Sequence, residues 1–292
     1  MTRNNAIKAS SATFVAAALF ALTQAAWASP CDRACLLEQA KQFNDAMLGH
    51  TPERIPLAKE VQIRENTKAI VLGDSRWMGV TKILSEGVYA DPVLGNVIEH
   101  VAAETSPGKP VYIGTRLKVA NGKITEVEIN FDDGPRVNLK NLVPYDPIFN
   151  TIVPPEERAT REQLERIITT YFKGLTDHQP IQADYDPRCD RYHSGNRITH
   201  NPRNGVEDSN AGDIGCYESN LGPKPWGPAT EVRIGLIDPE RGIAIGYAIL
   251  YYGNSPRRMQ INEVFKILDG RLRMVDNIGM MEDGITTSGF TQ

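Results

Sequence analysis

Two stretches of this chain alternate apolar and polar positions on either side of a two-residue turn. One runs from Arg116 to Ile129 (RLKVANGKITEVEI) and turns at Asn121-Gly122; the other runs from Val264 to Ile278 (VFKILDGRLRMVDNI) and turns at Asp269-Gly270. A period of two marks a strand with one buried face. Asn-Gly and Asp-Gly tolerate the positive φ angles of a type I′ turn, so each stretch reads as a hairpin. A helical period opens each half upstream. Leu36, Ala40, Phe43 and Met47 fall on one face, as do Leu164, Ile167, Ile168, Tyr171 and Leu175. Thr160, with Gln163 three residues on, reads as a capping box for the second helix. Such self-similarity points to two copies of one helix-then-sheet unit, an α+β architecture.

The ground between these landmarks is less regular. A short strand is expected near Val61 to Arg64, a short helix over Val80 to Glu86, and a strand over Gly95 to Val101. Asp184 to Arg191 reads as loop with a short strand. Glu231 to Ile237 suits helix or strand equally, and Gly242 to Tyr252 reads as an apolar strand. Pro144, Pro147, Pro154 and Pro155 punctuate a linker. Residues 202–228 form a Gly- and Pro-rich insertion with no counterpart in the first half, and loops of that length are usually functional or disordered. The expected organisation is a first domain over 31–145, a linker over 146–159, a second domain over 160–281 and a tail over 282–292.

Composition narrows the class. A chain of 292 residues suits two domains, and 23% charged with 41% apolar residues is a globular balance. A net charge of −4, with no block of like sign, offers no case for nucleic acid. Residues 1–28 read as a secretory signal peptide: Arg3 and Lys8 open it, an apolar run follows from Phe14 to Leu22, and Ala26 and Ala28 flank Trp27 at a small-x-small cleavage site. The mature chain is then expected to be secreted or periplasmic, with no membrane contact after cleavage. In that setting the four cysteines read as disulfides. Four allow three pairings; Cys31–Cys35 is local, and Cys189–Cys216 is its natural complement.

The order of elements is similar to that of the SnoaL-like, nuclear-transport-factor-two-like superfamily, whose last hairpin the runs from Leu117 to Glu126 and from Val264 to Arg273 resemble. More narrowly, Cys31 to Leu36 (CDRACL), Cys189 to Arg191 (CDR), Thr199 to Pro202 (THNP), Gly215-Cys216 and Asp238 to Gly242 (DPERG) resemble a group of secreted bacterial and fungal proteins of unassigned function. The resemblance implies two tandem cystatin-like cone barrels, each a long N-terminal helix packed on a curved antiparallel sheet. It also implies an apolar pocket inside the cone and, in the enzymes of the superfamily, acid–base catalysis by Asp, His, Tyr and Arg without a cofactor. Fold alone does not decide function.

The second half holds the denser cluster of candidates: Asp186, Asp190, Arg191, Tyr192, His193 and His200. A histidine beside a carboxylate shuttles protons near neutral pH, and tyrosine or arginine stabilises an oxyanion. Alternation places Glu263, Phe265 and Ile267 on one face, and Leu272, Met274 and Asp276 on one face of the next strand. If those faces turn inward, Glu263 and Asp276 are carboxylates in an apolar cavity. The expected catalytic set is therefore His193, Asp276, Tyr192, Arg191 and Glu263, and the expected substrate contacts are His200, Trp226, Tyr247, Phe265 and Met274. In the first half Arg64, Glu65, Trp77, Tyr89, Asp91, Tyr112, Arg116, Glu126 and Glu128 are noted, with Arg64 matched to Arg191 and Glu128 to Asp276. Trp77 reads as a core or lid aromatic. Asp208 to Asp213 lacks the later Gly and closing Glu of a calcium loop, and His193 with His200 lacks a third ligand, so no metal site is expected.

Two functions compete. One is a secreted cofactor-free enzyme of the lyase, isomerase or hydratase kind, acting on a small apolar or phenolic molecule under a lid formed by the insertion. The other is a non-catalytic ligand-binding or assembly module, its cones pairing as a homodimer or within one chain. A cavity in the second half with converging titratable groups favours the first; a solid interior favours the second.

Overall fold

The structure is a computed structural model and describes residues 31–139, 147–200, 214–222 and 224–290. The stretch expected to be a signal peptide, the calcium-like run and much of the 202–228 insertion lie outside the described residues. Two disulfides are formed, Cys31–Cys35 and Cys189–Cys216. Among the described residues no helix is long and apolar enough to cross a membrane.

The fold is α+β and repeats itself. In the first unit helix α1 (Arg33–Gly49) precedes strands β1 (Leu57–Glu65), β2 (Lys68–Ala69), β3 (Lys82–Asp91), β4 (Asn96–Ser106), β5 (Lys109–Ala120) and β6 (Lys123–Asp132). A short helix α2 (Pro147–Asn150) leads to the second unit. There α3 (Arg161–Asp177), β7 (Tyr185–His193), β8 (Asn196–Arg197), α4 (Cys216–Asn220), β9 (Ala229–Asp238), β10 (Ile243–Tyr251), β11 (Arg257–Leu268) and β12 (Arg271–Asp283) follow. The six-stranded sheets run β2-β1-β6-β5-β4-β3 and β8-β7-β12-β11-β10-β9, the same order in each. Each sheet is antiparallel except where its first strand lies parallel to its last, β1 on β6 and β7 on β12.

Local chemistry explains the repeat. The Asp32 side chain caps α1 by accepting from the Cys35 N–H at 2.9 Å, and α3 carries the Thr160/Gln163 capping box. Both helices end on a left-handed histidine, His50 and His178. Both hairpin turns have two positive φ values, at Asn121-Gly122 and Asp269-Gly270. Two expectations change. Over the expected helix 80–86, residues 82–86 instead open an edge strand, β3, because β4 pairs with it from Lys82 onward. Residues 231–237 are strand β9, paired with β10.

One face of each sheet lies under its helix. Phe43 of α1 packs on Trp77 with ring centroids 4.9 Å apart, and Trp77 is a core residue. Tyr171 and Phe172 of α3 pack edge-on against Phe265 of β11. The other faces pack on each other. Tyr89 and Ile98 of the first sheet meet Leu236, Ile245, Tyr247, Val264 and Met274 of the second in one buried cluster. This seam is also polar. His100 lies 3.1 Å from Asp276 Oδ2 and 3.0 Å from Asn262 Oδ1. Glu128 accepts from Arg116 at 3.0 Å and from Arg233 of the other sheet at 2.6 Å. At its edges Arg33 of α1 holds Asp238 of β9 in a bidentate pair, and Arg161 of α3 holds Asp91 of β3 in the same way. Gly114 lets the sheets approach: a Cβ there would lie 2.5 Å from Asn262 Nδ2.

Removing one member of a buried ionic network strands the charges left behind. Glu128→Ala should lower stability by about 3 kcal/mol in urea unfolding, because Arg116 and Arg233 both lose their shared carboxylate. Since the seam couples the units, the variant should still unfold in one transition. A loss below the error of the measurement, or two separated transitions, would show that the seam does not carry the fold.

Candidate functional site

The second unit's candidates divide between the two faces of its sheet. A bulge sets the division: Lys266 pairs with Met274 and Ile267 with Leu272, which leaves Arg273 unmatched. The count of two is interrupted there. Leu272 therefore faces α3 while Met274 and Asp276 face the seam, against the expectation that all three share the cone interior. Asp276 bonds His100 of the first unit and is not a pocket carboxylate. Tyr192 packs beside the seam cluster, and Tyr247 and Met274 belong to it. Tyr247 accepts from Asn262 Nδ2 at 3.1 Å, and Arg233 stacks over its ring.

Glu263, Phe265, Arg191 and His193 do face the helix. Glu263 Oε1 accepts from Asn277 at 2.8 Å and from the Tyr171 hydroxyl at 3.1 Å, while its Oε2 has no hydrogen-bond partner. Burial raises its pKa above the usual carboxylate range. Burial likewise pushes Tyr185 up to about 12 and holds His193 below its ordinary value, although the nearby Asp132 works against this. Arg191 donates to Asn220 of α4 at 2.7 Å. His200 lies 2.9 Å from Asp190, and Trp226 sits by Tyr252 with Lys224 over its ring. Glu263, Tyr171 and Phe265 are buried, whereas Arg191, His193, His200 and Trp226 are half-buried. The cleft lined by Ile167, Thr170, Tyr171, Ile181, Asp184, Tyr185 and Leu272 has no room even for a water molecule. Phe265 is fully buried among Tyr171 and Phe172, so it is a core ring rather than a substrate contact.

The first-unit pairings also resolve. Glu128 and Asp276 occupy the same register after their turns, and both face the seam. Arg64 does not match Arg191: β1 pairs Ile63 with Val127, as β7 pairs Arg191 with Val275.

A much roomier site lies in the first unit, between α1 and the edge strand β3. It is an open groove of about 690 Å³. Leu37, Leu48, Ile83, Leu84 and Val88 give it apolar walls, Lys41 and Asp45 pair at its rim, and Asn44 and Glu86 lie in it. One amide nitrogen joins two carboxyl groups here. Asn44 Nδ2 donates to Glu86 at 3.1 Å and to Glu99, behind it on β4, at 2.8 Å. Glu86 is exposed, whereas Glu99 is 2% exposed. Burial, and next the Glu86 carboxylate, push Glu99 up to about 8, against hydrogen bonds from Asn44 and Thr115. Two neighbouring carboxyl groups in unlike environments are a recurrent basis for acid–base roles. The carbonyl oxygen of Asn44 has no partner.

Sequence reasoning passed over this site, although a signal was present. Asn44 shares the apolar face of α1, and Glu99 stands at an inward position of an apolar strand (NVIEHVAA). A polar residue on a buried face on each of two facing elements is a pair that must satisfy itself.

Comparison with known proteins adds little on activity. A family model described as a domain of unknown function (DUF8021) matches residues 157–279, within the second unit. No curated protein matches the sequence. Among solved structures, a protein from Kribbella flavida DSM 17836 is similar at 20% identity over 35% of this chain and 90% of its own, with a TM-score of 0.29. A de novo designed protein with a curved β-sheet is similar at 19% identity over 35% and 88%, with a TM-score of 0.30. A second protein from K. flavida, described as a candidate ketosteroid isomerase, is similar at 15% identity over 41% and 78%, with a TM-score of 0.29.

Glu99 makes stability depend on pH with a definite sign. Its native pKa is raised, so the folded state keeps a proton that the unfolded chain has released. That contribution is complete below the ordinary carboxylate pKa and is lost as pH rises through about 8. Relative to Glu99→Gln, the wild type should therefore lose on the order of 2–4 kcal/mol between pH 5 and pH 9 in urea titrations. A difference between the two proteins that is flat with pH would remove Glu99 from this account.

Proposed function

We propose that this chain is an exported protein that binds a small, largely apolar molecule in the first unit's groove and moves a proton on it without a cofactor. The observation that carries this reading is the Glu86–Asn44–Glu99 chain at the base of an open, apolar-walled cleft. Export is supported by the signal-like N-terminus and by the two disulfides.

The roles follow from position. Glu86 lines the groove and is the general base, taking a proton from carbon beside a carbonyl of the bound molecule. Glu99 is a positioning residue. As a neutral acid it adds no second negative charge, and it holds the Asn44 amide so that the carbonyl side of Asn44 stays in the groove. Returning the proton to a different carbon gives isomerisation, and loss of a neighbouring group gives elimination. General-base catalysis of this kind contributes roughly 10²–10⁴-fold. A second reading, binding without turnover, is favoured by the close packing around Glu263, since the second unit then serves as scaffold.

Solvent deuterium exchange tests the reading directly. The full chain is incubated in D₂O with a panel of small apolar ketones, and NMR follows exchange beside the carbonyl. Exchange should be catalysed for at least one compound that binds and should fall about 10²-fold or more in Glu86→Gln, with binding retained. Binding without exchange across the panel would leave the non-catalytic reading in place.

A further inference from the structure

The polar end of the groove is one-sided. Asn44 commits both amide protons to the carboxyl groups of Glu86 and Glu99. Lys41 is engaged with Asp45 at the rim. What the lining side chains still present is the Glu86 carboxylate, the Ser85 hydroxyl, and the Asn44 carbonyl oxygen, a buried acceptor without a partner on a residue only 6% exposed. A buried acceptor left unpaired costs free energy, which a ligand that donates to it recovers. An anionic head would meet Glu86 with like charge and would leave that acceptor unpaired.

We propose that this groove also takes an apolar primary amine as a ligand that competes with the substrate, its ammonium group donating to Glu86 and to the Asn44 carbonyl while its hydrocarbon body lies along Leu37, Leu48, Ile83 and Val88. The inference rests on the groove being the binding site and adds a second class of molecule that enters it, one that ties up the Glu86 base instead of reacting. An ammonium carries three donors and no acceptor, which complements the Glu86 carboxylate and the Asn44 carbonyl, and the Ser85 hydroxyl can accept as well. Charge-assisted hydrogen bonds are roughly twice as strong as neutral ones, so the head fixes orientation while the walls supply hydrophobic affinity. The charged and titratable groups around the head are Glu86 on β3, Glu99 on β4 and the Lys41–Asp45 pair on α1, with Thr115 of β5 behind Glu99. A cation seated here favours the ionised form of Glu99, so binding near neutral pH should expel part of a proton.

Calorimetry with the full chain separates the alternatives, using n-hexylamine, n-hexanol and n-hexanoate at pH 7 in buffers of different ionisation enthalpy. Hexylamine should bind at least tenfold more tightly than hexanol, and hexanoate should not bind. Glu86→Gln should remove the preference for amine over alcohol. Proton release should accompany hexylamine in the wild type and vanish in Glu99→Gln. Leu48→Trp, which fills the groove from an exposed position, should abolish binding of both. If hexanol equals hexylamine and both are lost in Leu48→Trp, the amine proposal is overturned while the groove stands. If no probe binds, or if Leu48→Trp leaves binding intact, the groove itself is the wrong place and the proposal falls with it.

Discussion

The structure depends on two sheets sharing one buried seam. A sheet over a single helix has two faces and only one cover, and an apolar second face left to water invites association. Here each unit covers the other's second face, in the manner of a two-fold dimer built within a single chain. The reciprocity reaches individual residues. The first residue of each helix, Arg33 or Arg161, grips the aspartate that ends the edge strand of the other unit, Asp238 or Asp91. Counting from the turns, Glu128 and Asp276 occupy equivalent places, and through the ladders His100 matches Tyr247. Symmetry breaks where Gly114 faces Asn262. The space one side leaves is filled by the other, and Asn262 then links His100 to the Tyr247 hydroxyl.

With one face of each sheet committed to the seam, only the helix-covered faces remain for ligand chemistry, and there the two copies have diverged. Each buries a carboxyl group between helix and sheet that the other lacks. Glu99 of the first unit matches Gly246 of the second, and its partner Asn44 matches Phe172, whose ring fills the space over that glycine. Glu263 of the second unit matches Thr115 of the first, and its partner Tyr171 matches Phe43. Helix and sheet changed together in both cases, as a buried polar group requires. The replacement of Asn44 by Phe172 also exchanges a polar floor for an aromatic one and helps close the second interior.

Much of the fold was legible in the sequence because it rests on local rules: two helical stripes, two turns with the residues that positive φ demands, a capping box, and two cysteine pairs. The edge strand β3 was not legible, since Lys82 to Asp91 carries Gly87 and a bulge at Leu84 that blur its period. Site residues were harder, for a physical reason. Asp276 and Glu263 both sit among apolar neighbours in alternating strands, but the bulge at Arg273 turns Asp276 to the seam, while Glu263 on the regular β11 faces the helix. No single-strand pattern reveals where the count skips. The seam is also long-range, and nothing local in VIEHVA says that His100 will meet an aspartate far along the chain.

The two buried carboxyl groups then illustrate how access, rather than perturbation, separates a site from a core. Burial raises both Glu99 and Glu263, and both accept from a helix side chain. Around Glu263 the helix contributes Tyr171 and Phe172, whose rings pack edge-on against Phe265 and leave Glu263 only 3% exposed. Around Glu99 it contributes Asn44, too small to seal the gap to β3, and the edge strand has no neighbour beyond it to close the wall. Perturbation without access is a cost that the core absorbs; perturbation behind an opening is available to a ligand. The same edge position that makes β3 hard to read in the sequence is what leaves the groove beside it open.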